Sequence, residues 1–312
     1  MGATDDEAFS VADLFQGSRE DIETINGKIS VTIYGDRTKT PCIAYPEVGV
    51  NHQTCFQSLF VASGPQSLIL KNFYTIFIDP PGCEPNAQRD ARQRLSMNQL
   101  ISQIDDVISK FGIKECLGLG VGNGAYMLAK YAAEKPKNAF IGLILISPSC
   151  RKSSWWEWVT GSITASRLTS FGWSRGVKQH LMHRLFSPAT TQYLGGDSDL
   201  MKSFRREVQK LDPIAVSHYL KSSLAREDIR PHLKQIKCRV LLIFGAQSIY
   251  HGESMEVASH VDKSKFALVE IDRAGVLVNE ERPADLLSPF QLFLTALQLE
   301  GYGIGSGAIV GE

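Results

Sequence analysis

Apolar residues fall along this chain in two rhythms, period-two runs and helical stripes, and their order outlines a fold. Ile29-Ser30-Val31-Thr32-Ile33-Tyr34-Gly35 alternates as a half-buried strand does and ends in a turn. Pro41-Cys42-Ile43-Ala44-Tyr45 predicts a second strand, stopped by Pro46. Phe73-Tyr74-Thr75-Ile76-Phe77-Ile78 predicts a third, closed by Asp79-Pro80-Pro81-Gly82. Met97, Leu100, Ile101, Ile104, Val107, Ile108 and Phe111 then recur at helical spacing and make one apolar stripe. Ser96 and Gln99 frame that helix with a capping box, and Gly112 supplies its stop.

Glu115 to Gly120 reads as a buried strand that runs through Val121-Gly122-Asn123-Gly124 into a helix from Ala125 to Glu134. Phe140 to Ile146 is wholly apolar, as strands covered on both faces of a parallel sheet are. Residues 151–232 break the rhythm. They carry helical patterns, no obvious strand, and all four tryptophans, three of them at Trp155, Trp156 and Trp158. Arg239 to Gly245 and Phe266 to Ile271 resume the strands, and Pro283 to Leu297 predicts a closing helix. The expected organisation is a polar arm over 1–27, a core over 28–150 and 233–300, a helical cap inserted at 151–232, and a flexible Gly-rich tail over 301–312. Strands alternating with helices predict an α/β protein, a doubly wound and mostly parallel sheet with that cap inserted.

Composition changes the picture mainly by exclusion. The 312 residues carry 33 basic and 33 acidic side chains, so there is no global basic excess for nucleic acid to exploit. Met1-Gly2-Ala3-Thr4-Asp5-Asp6 is acidic and reads as no signal peptide, and Asp6 breaks the myristoylation pattern. The longest strongly apolar run, Phe140 to Ile146, is too short to span a bilayer. These readings predict a soluble, cytoplasmic protein. The six cysteines show no CxxC spacing and no Cys/His cluster, which predicts reduced thiols, no metal and no cofactor.

The sharpest motif is Gly120-Val121-Gly122-Asn123-Gly124, set between a strand and a helix. Hydrolases of the α/β fold carry G-x-S-x-G there, on a strained turn that lifts the serine above the sheet. This chain has Gly122 at that centre, so no nucleophile forms. The acid of such a site follows a later strand; the corresponding Gly245-Ala246-Gln247-Ser248 offers Ser248, which cannot hold an imidazolium as a carboxylate does. The histidine precedes a Glu-x-Pro; Gly275-Val276 before Glu281-Arg282-Pro283 offers Val276. Three losses at three spaced landmarks predict no triad chemistry, since loss of the nucleophile alone costs about a millionfold.

The same residues carry a resemblance to the NDRG (N-myc downstream-regulated) family, especially its plant branch of NDR-like and SF21-type proteins. It spans most of residues 18–303. The matching pieces include Val31-Thr32-Ile33-Tyr34-Gly35-Asp36, Asn51-His52-Gln53-Thr54-Cys55-Phe56, the elbow, Gly142 to Pro148, Ser154-Trp155-Trp156-Glu157-Trp158 and Leu233 to Arg239. The resemblance implies an α/β-hydrolase-like, catalytically inactive protein in signalling, stress response and development. For the plant branch it implies association with G-protein βγ subunits. At Gly82-Cys83 the chain departs from the family, whose members often have His after that glycine.

Other residues are candidates for a residual ligand pocket: Asn51 and His52 in the loop after the second strand, Asp79, Cys83, and Val121 and Asn123 at the elbow. Cys83 or Cys55, with His52 or His251 as base, is the alternative nucleophile of a rewired hydrolase. A third reading is a small-ligand or lipid sensor that keeps the pocket without the reaction. From Arg151 to Phe186 the chain holds six Lys/Arg and one acidic residue. With the tryptophans, Arg167, Arg175 and Lys178 therefore form a candidate surface for protein partners or an anionic membrane face.

Overall fold

The structure is a computed structural model that describes residues 17–61, 67–87, 94–135, 137–192 and 199–302. Most of the predicted arm and tail lies outside the described residues. Strands β1 (Ser18–Thr24), β2 (Gly27–Tyr34) and β3 (Thr40–Tyr45) lead to helices α1 (His52–Val61) and α2 (Leu68–Asn72). Strand β4 (Phe73–Ile78), α3 (Met97–Lys110), β5 (Cys116–Val121), α4 (Asn123–Glu134) and β6 (Phe140–Ile146) follow. Helices α5 (Trp155–Phe171), α6 (Arg175–Leu185), α7 (Pro188–Gln192), α8 (Asp199–Val208) and α9 (Pro213–Leu224) precede β7 (Arg239–Gly245). The chain ends with α10 (His251–His260), β8 (Phe266–Ile271), α11 (Val278–Glu281) and α12 (Leu287–Leu299).

The eight strands form one sheet in the order β1-β2-β4-β3-β5-β6-β7-β8. The pairs β1–β2 and β2–β4 are antiparallel, and every later pair is parallel. Ile43 and Tyr45 of β3 join one apolar cluster while Cys42 and Ala44 join another, so successive side chains fill both faces of a sheet covered on both sides. This is the predicted doubly wound sheet. Ser96 accepts from the Gln99 backbone and the Gln99 side chain returns the bond, so the predicted capping box starts α3.

Three local expectations differ. Residues 18–24 are an edge strand rather than part of an arm. In Ser18–Thr24 only Ile22 is buried, so the strand is written almost entirely in polar residues and holds to β2 by backbone bonds. Asn51-His52 does not lie in a free loop, because His52 opens α1. The closing helix begins at Leu287, after a 3₁₀ turn over Pro283–Leu286. Among the described residues, no helix is long and apolar enough to cross a membrane.

Helix α11 is tied to α1 by a buried carboxylate. Glu280 accepts the Ser58 N–H at 3.1 Å and the Ser58 hydroxyl at 2.8 Å. Burial pushes its carboxyl up to about 7, against the pull of the Ser58 and Asn279 hydrogen bonds. The folded state therefore keeps a proton that the unfolded chain releases near its ordinary value. Stability is full below that value and falls as pH rises to about 7, by about 3 kcal/mol from this group. Glu280→Gln is expected to flatten that part of the pH dependence. Urea midpoints at pH 5 and pH 8 for both proteins measure it, and parallel profiles would refute the assignment.

Candidate functional site

Strand β5 ends at Val121 and the chain turns through Gly122, at φ 56° and ψ −112°, into α4. That backbone is the strained elbow of the hydrolase frame. The elbow packs against β3 so closely that a Cβ on Gly124 would lie 2.1 Å from the Tyr45 carbonyl oxygen. Bonds from Gly122 N–H to the Ile146 carbonyl (2.8 Å) and from Tyr126 N–H to the Gly122 carbonyl (3.0 Å) fix the turn.

Glu47, just beyond β3, fills the space above the elbow. It is fully buried. A Cβ on Gly122 would fall 1.5 Å from its Oε2. Its Oε2 accepts the Asn123 N–H at 2.8 Å, and its Oε1 accepts the Val48 N–H at 2.6 Å. The Asn123 amide adds a third bond to Oε1, at 2.7 Å. In a working hydrolase, the N–H after the nucleophile and an N–H from the β3 loop hold the oxyanion. Here both donors point at the protein's own carboxylate.

A second layer closes over this carboxylate. The Tyr250 hydroxyl lies 3.4 Å from the Asn123 amide nitrogen and accepts a hydrogen bond from Arg184 Nη2. Arg184 Nη2 also stands 3.9 Å from Glu47. Arg226 grips Glu157 with two bonds of 2.8 Å and reaches Glu253 at 3.4 Å. Both guanidinium groups pack over the Tyr250 ring. Burial alone would raise the Glu157 carboxyl; the Arg226 bonds and charge outweigh it and hold it below its ordinary value. Burial drives the Tyr250 phenol upward despite Arg184, so it stays neutral.

The loops after β5, β7 and β8 leave the same end of the sheet. Gln247 N–H bonds to the Ala274 carbonyl at 3.0 Å, joining the Ser248 loop to the Val276 loop. Among the described residues, no hydrogen bond joins Gly122, Ser248 and Val276 directly. The Ser248 hydroxyl accepts the Tyr250 N–H at 3.1 Å, a local turn bond ahead of α10. Val276 is buried in apolar packing, and its N–H bonds to the Leu185 carbonyl at 2.9 Å.

The predicted pocket residues take other roles. Asn51 Oδ1 accepts the Thr54 N–H at 3.0 Å and caps α1. Asp79 accepts the His52 N–H at 2.7 Å and sits 2.5 Å from His52 Nδ1, while His52 Nε2 lies 3.3 Å from the Tyr34 hydroxyl. Asp79 thus anchors the first turn of α1. Cys83 and Val121 are fully buried in separate apolar clusters. None of the six except Asn123 joins the Glu47 network. Cys55 lies inside α1 rather than in a loop, and burial pushes both the Cys55 and Cys83 thiols far up, which disfavours the thiolate a nucleophile needs.

A cavity of about 380 Å³ opens above Tyr250, between α5, α6 and α10. None of the six predicted pocket residues lines it. Beside its wall, Trp155, Trp156 and Trp158 stand 66%, 69% and 54% exposed, with Arg167 and Arg175 exposed and Lys178 half-buried. The basic stretch is less basic at the surface than its composition suggests. Arg184 is buried, and Arg151 pairs with Glu256. Sequence reasoning missed Glu47, Tyr250, Arg184 and Arg226; the one available signal was an acid between the apolar stretches Ile43–Tyr45 and Val48–Val50, where an oxyanion loop belongs.

The fold places the chain among known proteins. A thermophilic esterase from Thermogutta terrifontis superposes with a TM-score of 0.74 at 17% identity, over 90% of this chain and 99% of that one. An enol-lactonase from Burkholderia xenovorans gives 0.72 at 17% identity, over 88% of this chain and 100% of that one. At such identity these likenesses speak for the α/β-hydrolase fold alone. In sequence, Protein NDL1 of Arabidopsis thaliana is 35% identical, over 97% of this chain and 87% of its own length. The pollen-specific protein SF21 of Helianthus annuus is 34% identical, over 92% and 81%, and human Protein NDRG2 is 29% identical, over 91% and 76%. The profile of the Ndr family matches residues 19–303. With that match over nearly its whole length, the chain belongs to the Ndr family.

Proposed function

We propose that this chain is a catalytically silent member of its fold that works in the cytoplasm by docking protein partners, in signalling, stress response and development. One observation carries the reading. The carboxylate of Glu47 occupies both backbone donors that would hold an oxyanion, directly above a glycine at the nucleophile's place. A negative charge there opposes the charge that acyl transfer develops. Ser248 and Val276 stand as the vestigial acid and base positions. The docking surface is the exposed face of α5 and α6, with Trp155, Trp156 and Trp158 at the start of α5 and Arg167, Arg175 and Lys178 toward its other end. Family kinship makes a G-protein βγ dimer the partner to try first.

Two measurements test this together. The purified chain is expected to leave p-nitrophenyl esters at their uncatalysed rate and to escape labelling by a fluorophosphonate probe. Biolayer interferometry with a purified G-protein βγ dimer is expected to give saturable binding that Trp155→Ser and Arg175→Ser each weaken about tenfold. Ester turnover that withstands repurification sinks the silent reading. Binding indifferent to both substitutions sinks the docking surface.

A further inference from the structure

We propose that the cavity above Tyr250 is a binding site for a small organic anion, anchored by the buried guanidinium of Arg184. This goes beyond the docking role, because the ligand would sit inside the chain rather than on it.

The case rests on two buried arginines that share one aromatic ring and differ in what they bond. Arg226, with its side chain 0% exposed, spends its donors on the Glu157 carboxylate, on Glu253, and on the Arg151 and Ser223 carbonyls. Arg184 has its side chain 7% exposed and lines the cavity. Among the described residues its only hydrogen-bond acceptor is the Tyr250 oxygen. Its Nε is closed off without a partner, its Nη1 makes no hydrogen bond among the described residues and is not closed off, and its nearest carboxylate oxygens, on Glu157 and Glu47, stand 3.7 and 3.9 Å away, beyond hydrogen-bond range. A guanidinium presents five N–H donors, and leaving buried donors idle is costly. A planar oxyanion in the cavity is what a fork of this kind binds best.

The cavity walls agree. Glu157 and Glu253 also line it, but both are already engaged: Glu157 by Arg226, and Glu253 by the Cys150 and Arg151 N–H groups at 2.7 and 2.9 Å. Lys152, His180 and His183 add donors around the opening. Burial, with the charges of Arg184 and His183, holds His180 below the ordinary histidine value, so it offers an N–H at neutral pH without a further cation. Gly161, Thr160 and Ile249 leave room for an uncharged body. At about 380 Å³ the cavity admits a small organic molecule rather than a bare ion.

Isothermal titration of the full chain with benzoate, phenyl phosphate and neutral benzyl alcohol tests the site. At least one anion is expected to bind saturably below about 1 mM, with benzyl alcohol at least about tenfold weaker. Arg184→Met is expected to abolish that binding. Lys152→Ala and His183→Ala, at positions outside the buried network, are each expected to weaken it about threefold or more. Should Arg184→Met fail to fold, those two decide. The proposal is overturned if neither anion binds below about 10 mM. It is equally overturned if benzyl alcohol binds as well as the anions, or if Lys152→Ala and His183→Ala both leave the affinity unchanged. Each of these failures leaves the ester and partner measurements untouched, so the two readings fall separately.

Discussion

Gly122→Ser, which restores the residue a working elbow carries, is expected to destabilise the protein by about 4 kcal/mol and to create no esterase. The new Cβ would overlap Glu47 Oε2, only 1.5 Å from its ideal position. Either the serine or the carboxylate must move. Moving Glu47 strips acceptors from the buried N–H groups of Val48 and Asn123, each costing about 1–3 kcal/mol when left idle. The left-handed backbone at Gly122, φ 56°, adds about 1–3 kcal/mol of strain for a residue with a side chain. The two causes separate in a double-mutant cycle. In a Glu47→Gly background only the strain remains, so the cycle is expected to show at least about 2 kcal/mol of coupling between the positions. Denaturant unfolding of the four proteins measures it. Additive effects would mean that Glu47 does not sit over the elbow. Activity is expected in none of them, because Ser248 carries no carboxylate and is bonded to its own turn, and Val276 is packed in apolar surroundings.

The sheet was legible because its central strands are runs without polar interruption, and the elbow because its glycines mark a close approach that no side chain survives. Strand β1 was illegible for the opposite reason. Ser18–Thr24 buries one residue of seven and is held by backbone bonds that leave no apolar pattern. The glycine at the centre of the elbow could be read from spacing, yet the side chains packed over it could not. Glu47, Asn123, Ser223 and Tyr250 meet over sequence gaps as long as 127 residues, and no local periodicity encodes such a meeting. The contacts of the pocket candidates were hidden for a related reason. Asn51 precedes α1, His52 opens it and Asp79 follows β4, and their polar atoms are consumed in starting α1. The three tryptophans could be read as buried packing or as surface. The structure exposes them because α5 turns its small residues, Gly161, Thr164 and Ala165, inward against α9.

Arg226→Met is expected to cost about 3–5 kcal/mol, far more than a surface arginine would. Arg226 follows α9 and holds four parts of the chain at once. It bonds Glu157 on α5 through both terminal nitrogens, the Arg151 carbonyl before α5 at 2.8 Å, the Ser223 carbonyl at 3.3 Å and Glu253 on α10 at 3.4 Å. Methionine fills similar volume and removes every one of those bonds. Glu157 then keeps Arg184, at 3.7 Å, and the Ser154 backbone bond, and burial raises its carboxyl against that weaker opposition. The cost comes mainly from that stranded carboxylate, so Glu157→Met in the same chain is expected to recover a good part of it, as matched apolar replacements of buried pairs do. Lysine is expected to rescue little, since one ammonium cannot reproduce the paired 2.8 Å bonds. The loss also reaches the proposed docking face. Helix α5 carries Trp155, Trp156 and Trp158, and Arg226 is the tie between that helix and α10 on the sheet. Hydrogen exchange is expected to speed up along α5 in Arg226→Met while β5 and β6 keep their protection. Uniform exchange across helix and sheet would show that the arginine supports the whole fold and does not act as a clamp on the helical face.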